Sequence, residues 1–163
     1  MNLNLGCGKN KIKGYINLDK IKESKPDVIC DLNHNFPFKN DIADKIIAIQ
    51  LLEHLNNTIK TMEEIWRISK NNCFVRIDVP YYNCKGAFAD PSHCSFFTDS
   101  TFNYFTGEDI FYHYSNTNFE IKKIKFVPLN FFKCLPETLL LKMSHFISNL
   151  IIEINVELQA KKP

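Results

Sequence analysis

Residues 3–8 read LNLGCG, and eleven positions after the second glycine the run YINLD ends on Asp19. Leu3 and Leu5 belong to a short apolar run of the kind that forms a buried strand, Gly6 and Gly8 turn the chain straight after it, and Tyr15 to Leu18 repeats the pattern. In an open parallel sheet, ligands bind outside the carboxyl ends of the strands, where a glycine-rich turn lets backbone N–H groups approach closely. A carboxylate that closes the second strand can accept both hydroxyls of a ribose, and Asp19 stands in that place. The spacing argues against a dinucleotide. G-x-G-x-x-G fails at Lys11, and the acidic residue follows after eleven positions rather than the ~20 that a full first helix needs. The nine residues from Gly6 to Gly14 leave room for one or two helical turns at most, in a crossover that normally takes at least about ten to twelve residues. A nucleoside without a pyrophosphate suits such a turn better.

The alternation continues outward. Val28 to Cys30, Lys45 to Gln50 and Phe74 to Val79 read as further strands. Asn57 to Lys70 reads as a covering helix with Ile59, Met62, Ile65, Trp66 and Ser69 on its inner face and Lys60, Glu63, Glu64, Arg67 and Lys70 turned outward. Phe119 to Val127 and Ile152 to Gln159 read as strands flanking a helix over Pro136 to Asn149. The pattern predicts an α/β fold with a mostly parallel sheet, covering helices, a shortened first crossover and a C-terminal antiparallel strand. Residues 1–163 form a single domain in this reading, with 80–118 a loop-rich aromatic stretch of the kind used as a lid or acceptor-binding segment.

Composition bounds the function classes. At 163 residues and 45% hydrophobic content the chain can bury one core. A formal charge of +2 is too small for a nucleic-acid footprint. Neither a signal peptide nor an apolar run of the ~18 residues needed for a membrane span is present, which leads to the expectation of a soluble cytoplasmic protein. Six scattered cysteines without a C-x-x-C pair read as reduced thiols. Cys84, His93 and Cys94 fit structural zinc spacing poorly, so no metal site is expected. The Lys9, Lys11, Lys13 run reads as a solvated loop near the ligand mouth.

Four blocks in register, LNLGCGKNKIKGYINLD, DVICDLNHNFPF, DKIIAIQLLEHL and EEIWRISKNNCFVRIDVP, resemble the class I, Rossmann-like S-adenosylmethionine-dependent methyltransferases, in particular the small type 11-like group. The resemblance covers residues 2–80 firmly and the remainder loosely. It implies S-adenosylmethionine as cofactor: Gly6, Cys7 and Gly8 would form the turn against its methionine part, Asp19 would hold its ribose, and Asp31 and Leu32 would flank its adenine. Gln50, Glu53 and His54, within the stretch 50–54, would line the pocket floor. Asn4 and Gln50 depart from the acidic residue and the histidine often found at those places in the family. Asn71 or Asn72 stands where the family turns on glycine, a position asparagine tolerates because it accepts φ > 0.

On the residues alone, Asp31 also reads as an Asx-turn residue, and His54 as a helix-start residue satisfied by backbone. In the segment from Asp90 to Thr98, His93 follows the fifth strand with a suitable unperturbed pKa near 6.5, and reads as a general base for a hydroxyl acceptor with Asp90 orienting it. The structural alternative is that both pin a loop over the sheet. Tyr81 and Tyr82 are candidate stacking surfaces for an acceptor, while Phe88, Phe96, Phe97, Phe102, Tyr104 and Phe105 read mostly as packing. The function expected is methyl transfer to a small-molecule or saccharide hydroxyl. The alternative is a non-catalytic cofactor-binding module in a larger assembly. Because the first strand opens the chain, a homodimer or partner subunit is expected to complete the pocket.

Overall fold

The computed structural model describes residues 1–107 and 115–163. Seven strands, β1 (Asn2–Leu5), β2 (Ile16–Asp19), β3 (Val28–Ile29), β4 (Ala43–Ile49), β5 (Ser69–Pro80), β6 (Phe119–Pro128) and β7 (Ile151–Ala160), form one sheet. Their order is β3-β2-β1-β4-β5-β7-β6. β1 to β5 pair in parallel, and β7 runs antiparallel between β5 and β6. Leu3, Leu5, Ile46, Ala48, Val75 and Ile77 are wholly buried and, paired across β1, β4 and β5, make one apolar face of the central sheet. Burying each larger side chain of that set is worth about 1.5–3 kcal/mol.

Only α1 (Thr58–Ile68) fills a parallel crossover among the described residues. Asn57 starts it, its side-chain oxygen accepting the Lys60 N–H at 2.9 Å. Ser69 ends it, donating its hydroxyl to the Ile65 carbonyl at 2.7 Å. The inner face is Thr61, Met62, Ile65 and Ile68, so the apolar stripe is rotated from the expected one and leaves Ile59 and Trp66 half-buried. Glu64 and Arg67 do not point into solvent as the pattern suggested. Arg67 bonds both Glu64 oxygens and reaches the carbonyls of Phe36 and Phe38, fixing the loop before β4.

The turn after α1 survives without glycine because Asn72 adopts φ 63°. It lies inside β5, where the pairing jumps from Ala43↔Ser69 to Lys45↔Phe74. Toward the C-terminus, α3 (Glu137–Ser144) follows Pro136 but stops five residues short of the expected Asn149. The 80–118 stretch carries more local structure than its composition suggested, with α2 (Lys85–Ala89) and a 3₁₀ turn over Thr101–Phe105. Residues 108–114 of that expected lid lie outside the described residues. No helix of the described residues is long and apolar enough to cross a membrane.

Candidate functional site

The first crossover contains no helix at all. Side chains hold it instead. Asn4 donates to Asn17 Oδ1 at 2.9 Å and to the Asn10 carbonyl at 3.0 Å. Asn17 Oδ1 also accepts the Ile12 N–H, while the Asn17 backbone and side-chain amides both donate to Asp27 Oδ2, at 2.9 and 2.7 Å. Lys11, from the run read as solvated, reaches the Lys25 carbonyl and Asp27 Oδ1. Asn4 and Asn17 are partners in the β1–β2 register, so two asparagines at matching offsets in two apolar runs were the overlooked signal. The Asn17 amides, backbone first, and Lys11 hold the Asp27 carboxyl down at about 2. A folded-state value below the unfolded ~3.9 means that the unfolded chain binds the extra proton, so this stabilisation is present above about pH 4 and lost as pH falls toward 2. Acid unfolding of Asp27→Asn followed by circular dichroism should show a shallower decline across that window than the parent chain; an unchanged profile would remove the network's role.

Gly6 and Gly8 adopt φ 62° and 47°. Behind them, Asp19 is buried at the end of β2, with Oδ2 accepting the Gly8 N–H at 2.7 Å and Oδ1 accepting the Ile21 N–H at 2.8 Å. These residues open on a cavity of about 390 Å³, lined also by Asp31, Leu32, Gln50, Leu51, His54 and Ser92. A volume of this size suits a nucleoside-bearing ligand. Seven of the expected cofactor residues therefore meet around one cavity. Cys7 and Glu53 do not line it. Cys7 is buried, and its N–H donates to the Leu18 carbonyl at 2.8 Å, tying the turn to β2. Asp31 serves as an Asx-turn residue as well as lining the mouth: Oδ1 accepts both the N–H and the side-chain amide of Asn33, at 3.0 Å each, which lowers its carboxyl. Gln50 leaves β4 with φ 50° and donates to Glu153 at 2.8 Å.

Beyond Leu51 the chain makes a 3₁₀ turn over Leu52–His54. The backbone of the post-β5 segment docks on it, Cys94 N–H donating to the Glu53 carbonyl at 2.7 Å. That docking sets the His93 ring edge-on to His54, with centroids 4.7 Å apart. His54 is not satisfied by backbone: its Nδ1 meets Ser92 Oγ at 2.9 Å, and Ser92 Oγ donates to Asp90 Oδ1 at 2.7 Å. His93 Nδ1 donates to the Ala87 carbonyl at 2.9 Å. The Asp90 carboxylate therefore bonds Ser92 and, through it, orients His54 rather than His93. Burial, and then the neighbouring His93, push the His54 pKa down. Burial pushes the Glu53 carboxyl up to about 7, its own backbone amide and then His93 partly opposing it.

The aromatic expectations divide. Tyr81 is fully buried, packed edge-on against Tyr82, so it presents no stacking face to an acceptor. Phe97, Phe102 and Phe105 are core, whereas Phe88 and Phe96 are exposed and stacked at 4.6 Å.

No protein-family model matches the sequence, and no curated protein matches it. Solved structures do. A SAM-dependent methyltransferase from Archaeoglobus fulgidus superposes with a TM-score of 0.69 at 15% identity, over 97% of this chain and 85% of that one. A methyltransferase described as putative, from Bacillus halodurans, gives 0.68 at 12% identity over 99% and 92%. The putative methyltransferase of Haloferax volcanii, solved in complex with the Trm112 methyltransferase activator, gives 0.64 at 12% identity over 99% and 82%. With seven strands in the order β3-β2-β1-β4-β5-β7-β6 and β7 antiparallel, the chain has the fold of the class I S-adenosylmethionine-dependent methyltransferases.

Proposed function

We propose that the protein binds S-adenosylmethionine in the cavity at the carboxyl ends of β1, β2 and β4 and transfers its methyl group to a hydroxyl of a small molecule or saccharide. The observation that carries this reading is Asp19. Each carboxylate oxygen spends one lone pair on a backbone amide, and the remaining lone pairs suit the two adjacent hydroxyls of a ribose. Leu32, Leu51 and Leu55 make an apolar slot for a purine, and Gly6 keeps the wall open, since a Cβ there would come within 2.6 Å of Leu51 Cδ1. These features fit the cofactor.

When bound, S-adenosylmethionine supplies an electrophilic methyl group on a sulfonium. The chain's task is alignment, which can be worth roughly 7–11 kcal/mol. His54 and Ser92 line the cavity, with His93 one ring behind. His93 donates from Nδ1 to Ala87, so its Nε2 lone pair is available to take a hydroxyl proton, and the Asp90–Ser92 pair keeps the adjoining His54 ring in place. The exposed Phe88–Phe96 stack offers a face for a sugar ring. A second copy or a partner subunit would cover the acceptor side, and the Haloferax complex supports the idea that this fold can work with one.

The test is a thermal shift with S-adenosylhomocysteine, with NAD as control. At 100 times Kd a ligand adds about 2.7 kcal/mol, a rise of roughly 5–10 °C in Tm for a chain of this size. Absence of a shift with S-adenosylhomocysteine would overturn the cofactor assignment. A shift without turnover on any hydroxyl acceptor would favour the non-catalytic binding module, and a His93→Ala variant that keeps normal turnover would remove the base.

A further inference from the structure

Glu53 is 1% exposed, and neither of its carboxylate oxygens has a hydrogen-bond partner. Buried polar groups are nearly always paired, and an unpaired carboxylate is among the most costly exceptions. Something of opposite charge is the natural partner, and the described residues offer no cationic side chain to those oxygens. Two imidazoles lie close to them, with the Asp90 and Glu153 carboxylates farther out adding negative charge. One carboxylate oxygen of Glu53 and one ring nitrogen each of His54 and His93 lie within 4.8 Å of one another.

The hydrogen bonds around the two rings point the same way. The Ala87 carbonyl can only accept, so His93 carries its proton on Nδ1. Ser92 Oγ gives its own proton to Asp90, so it accepts from His54 Nδ1. Both rings are thereby held as the tautomer whose Nε2 bears a lone pair. A second N–H anchored on a carbonyl, or on a hydroxyl–carboxylate pair, is the arrangement that orients metal-ligating histidines.

We propose that Glu53, His54 and His93 bind one divalent transition-metal cation. The inference deepens the methyltransferase reading and rests on it for its purpose: the ion would sit beside the cofactor cavity, on the side that His54 and Ser92 line. Two imidazoles and one carboxylate suit Zn²⁺, Mn²⁺, Fe²⁺ or Co²⁺, and three protein ligands leave open positions, as in catalytic rather than structural sites. Ligand atoms at ~2.1 Å from a tetrahedral ion stand about 3.4 Å apart, so closure from 4.8 Å needs only small side-chain rotations. An open position facing the cavity takes the acceptor's hydroxyl oxygen, and the substrate class is then a metal-chelating hydroxyl compound such as a vicinal diol of a saccharide. With the ion bound, His93 is a ligand and not a base, and the hydroxyl proton leaves to solvent. Cys84 is no companion to this group, as its poor zinc spacing suggests: its Sγ is turned to the Ile152 carbonyl.

The experiment is titration of the chelator-treated 163-residue chain with Mn²⁺, followed by loss of the free-ion paramagnetic resonance signal, with Zn²⁺ as competitor. One Mn²⁺ per chain, displaced by Zn²⁺, is expected. Glu53→Gln and His93→Ala should each weaken binding at least about tenfold, and Ser92→Ala by about 10–100-fold as an outer-sphere partner. Glu53→Gln replaces a buried carboxyl that has no hydrogen-bond partner, so it should fold about as well as the parent while losing the metal-dependent rise in Tm; a merely structural Glu53 would not give that split. Absence of stoichiometric binding of either ion, or binding that survives both ligand variants, overturns the site. S-adenosylhomocysteine binding is read separately by its own thermal shift. Metal without cofactor binding would leave the site standing and sink the methyltransferase reading, and cofactor without metal binding would do the reverse.

Discussion

Asp19→Ala should weaken S-adenosylhomocysteine binding by ten- to a hundredfold and lower the unfolding free energy by about 1–3 kcal/mol. The two effects share a cause. Asp19 is 7% exposed and its carboxylate receives two backbone amides, Gly8 and Ile21, at 2.7 and 2.8 Å. Charge-assisted hydrogen bonds of this kind are worth about 1.5–3 kcal/mol each. Removing the acceptor orphans both donors, although water entering from the cavity recovers part of the loss. It also frees the glycine turn from the end of β2, so the ligand loses its ribose partner and the loop that faces it. Asp19→Asn should be no rescue: its NH₂ group would meet one of the two N–H donors. Calorimetric titration with S-adenosylhomocysteine and urea unfolding check both numbers. Unchanged affinity would sink the ribose assignment, whatever the stability did.

Gly6→Ala and Gly8→Ala should differ in a way that only the cavity geometry explains. Both residues have positive φ, so each substitution carries a backbone cost of about 1–2 kcal/mol. At Gly8 a Cβ meets nothing within 4 Å, whereas at Gly6 it falls 2.6 Å from Leu51 Cδ1. Leu51 is a flexible side chain and can swing away, but it lines the same cavity, so relief of the clash pushes it into the ligand's space. Gly6→Ala should therefore cost more than tenfold in S-adenosylhomocysteine affinity, and Gly8→Ala several-fold less, with similar losses of stability. Equal affinities for the two variants would mean that Leu51 does not shape the binding wall.

The parallel half of the sheet was legible because its central strands carry apolar residues at every second position: Leu3 and Leu5, Ile46 and Ala48, Val75 and Ile77 pair across the strands into one buried face. The missing first helix was half legible: the spacing from Gly8 to Asp19 limited its length, but not what replaces it. The Asn4–Asn17–Asp27 network depends on a parallel register that no single run displays. Tyr81 looked like an acceptor platform because it follows a strand end; it became core because the segment after it folds back, with Tyr82 N–H donating to the Phe97 carbonyl. Glu53, His54 and His93 were flagged singly and never as a group. Thirty-nine positions separate His54 from His93, and the docking of the Cys94 N–H on the Glu53 carbonyl, with Ser92 on His54, closes that gap.

Trp66, the single tryptophan, donates its indole N–H to the carbonyls of Asn118 and Lys161, and the Lys162 ammonium sits 3.8 Å over its ring. The pairing of Phe74 with Gln159 puts these partners at the amino end of β5, the opposite edge of the sheet from the glycine turn. Its fluorescence is thus a built-in gauge of whether the last residues are seated, with an adjacent cation that shifts emission when they detach. Ligand filling the cavity should leave that signal almost still, so an emission change on titration would report a coupling that crosses the whole sheet.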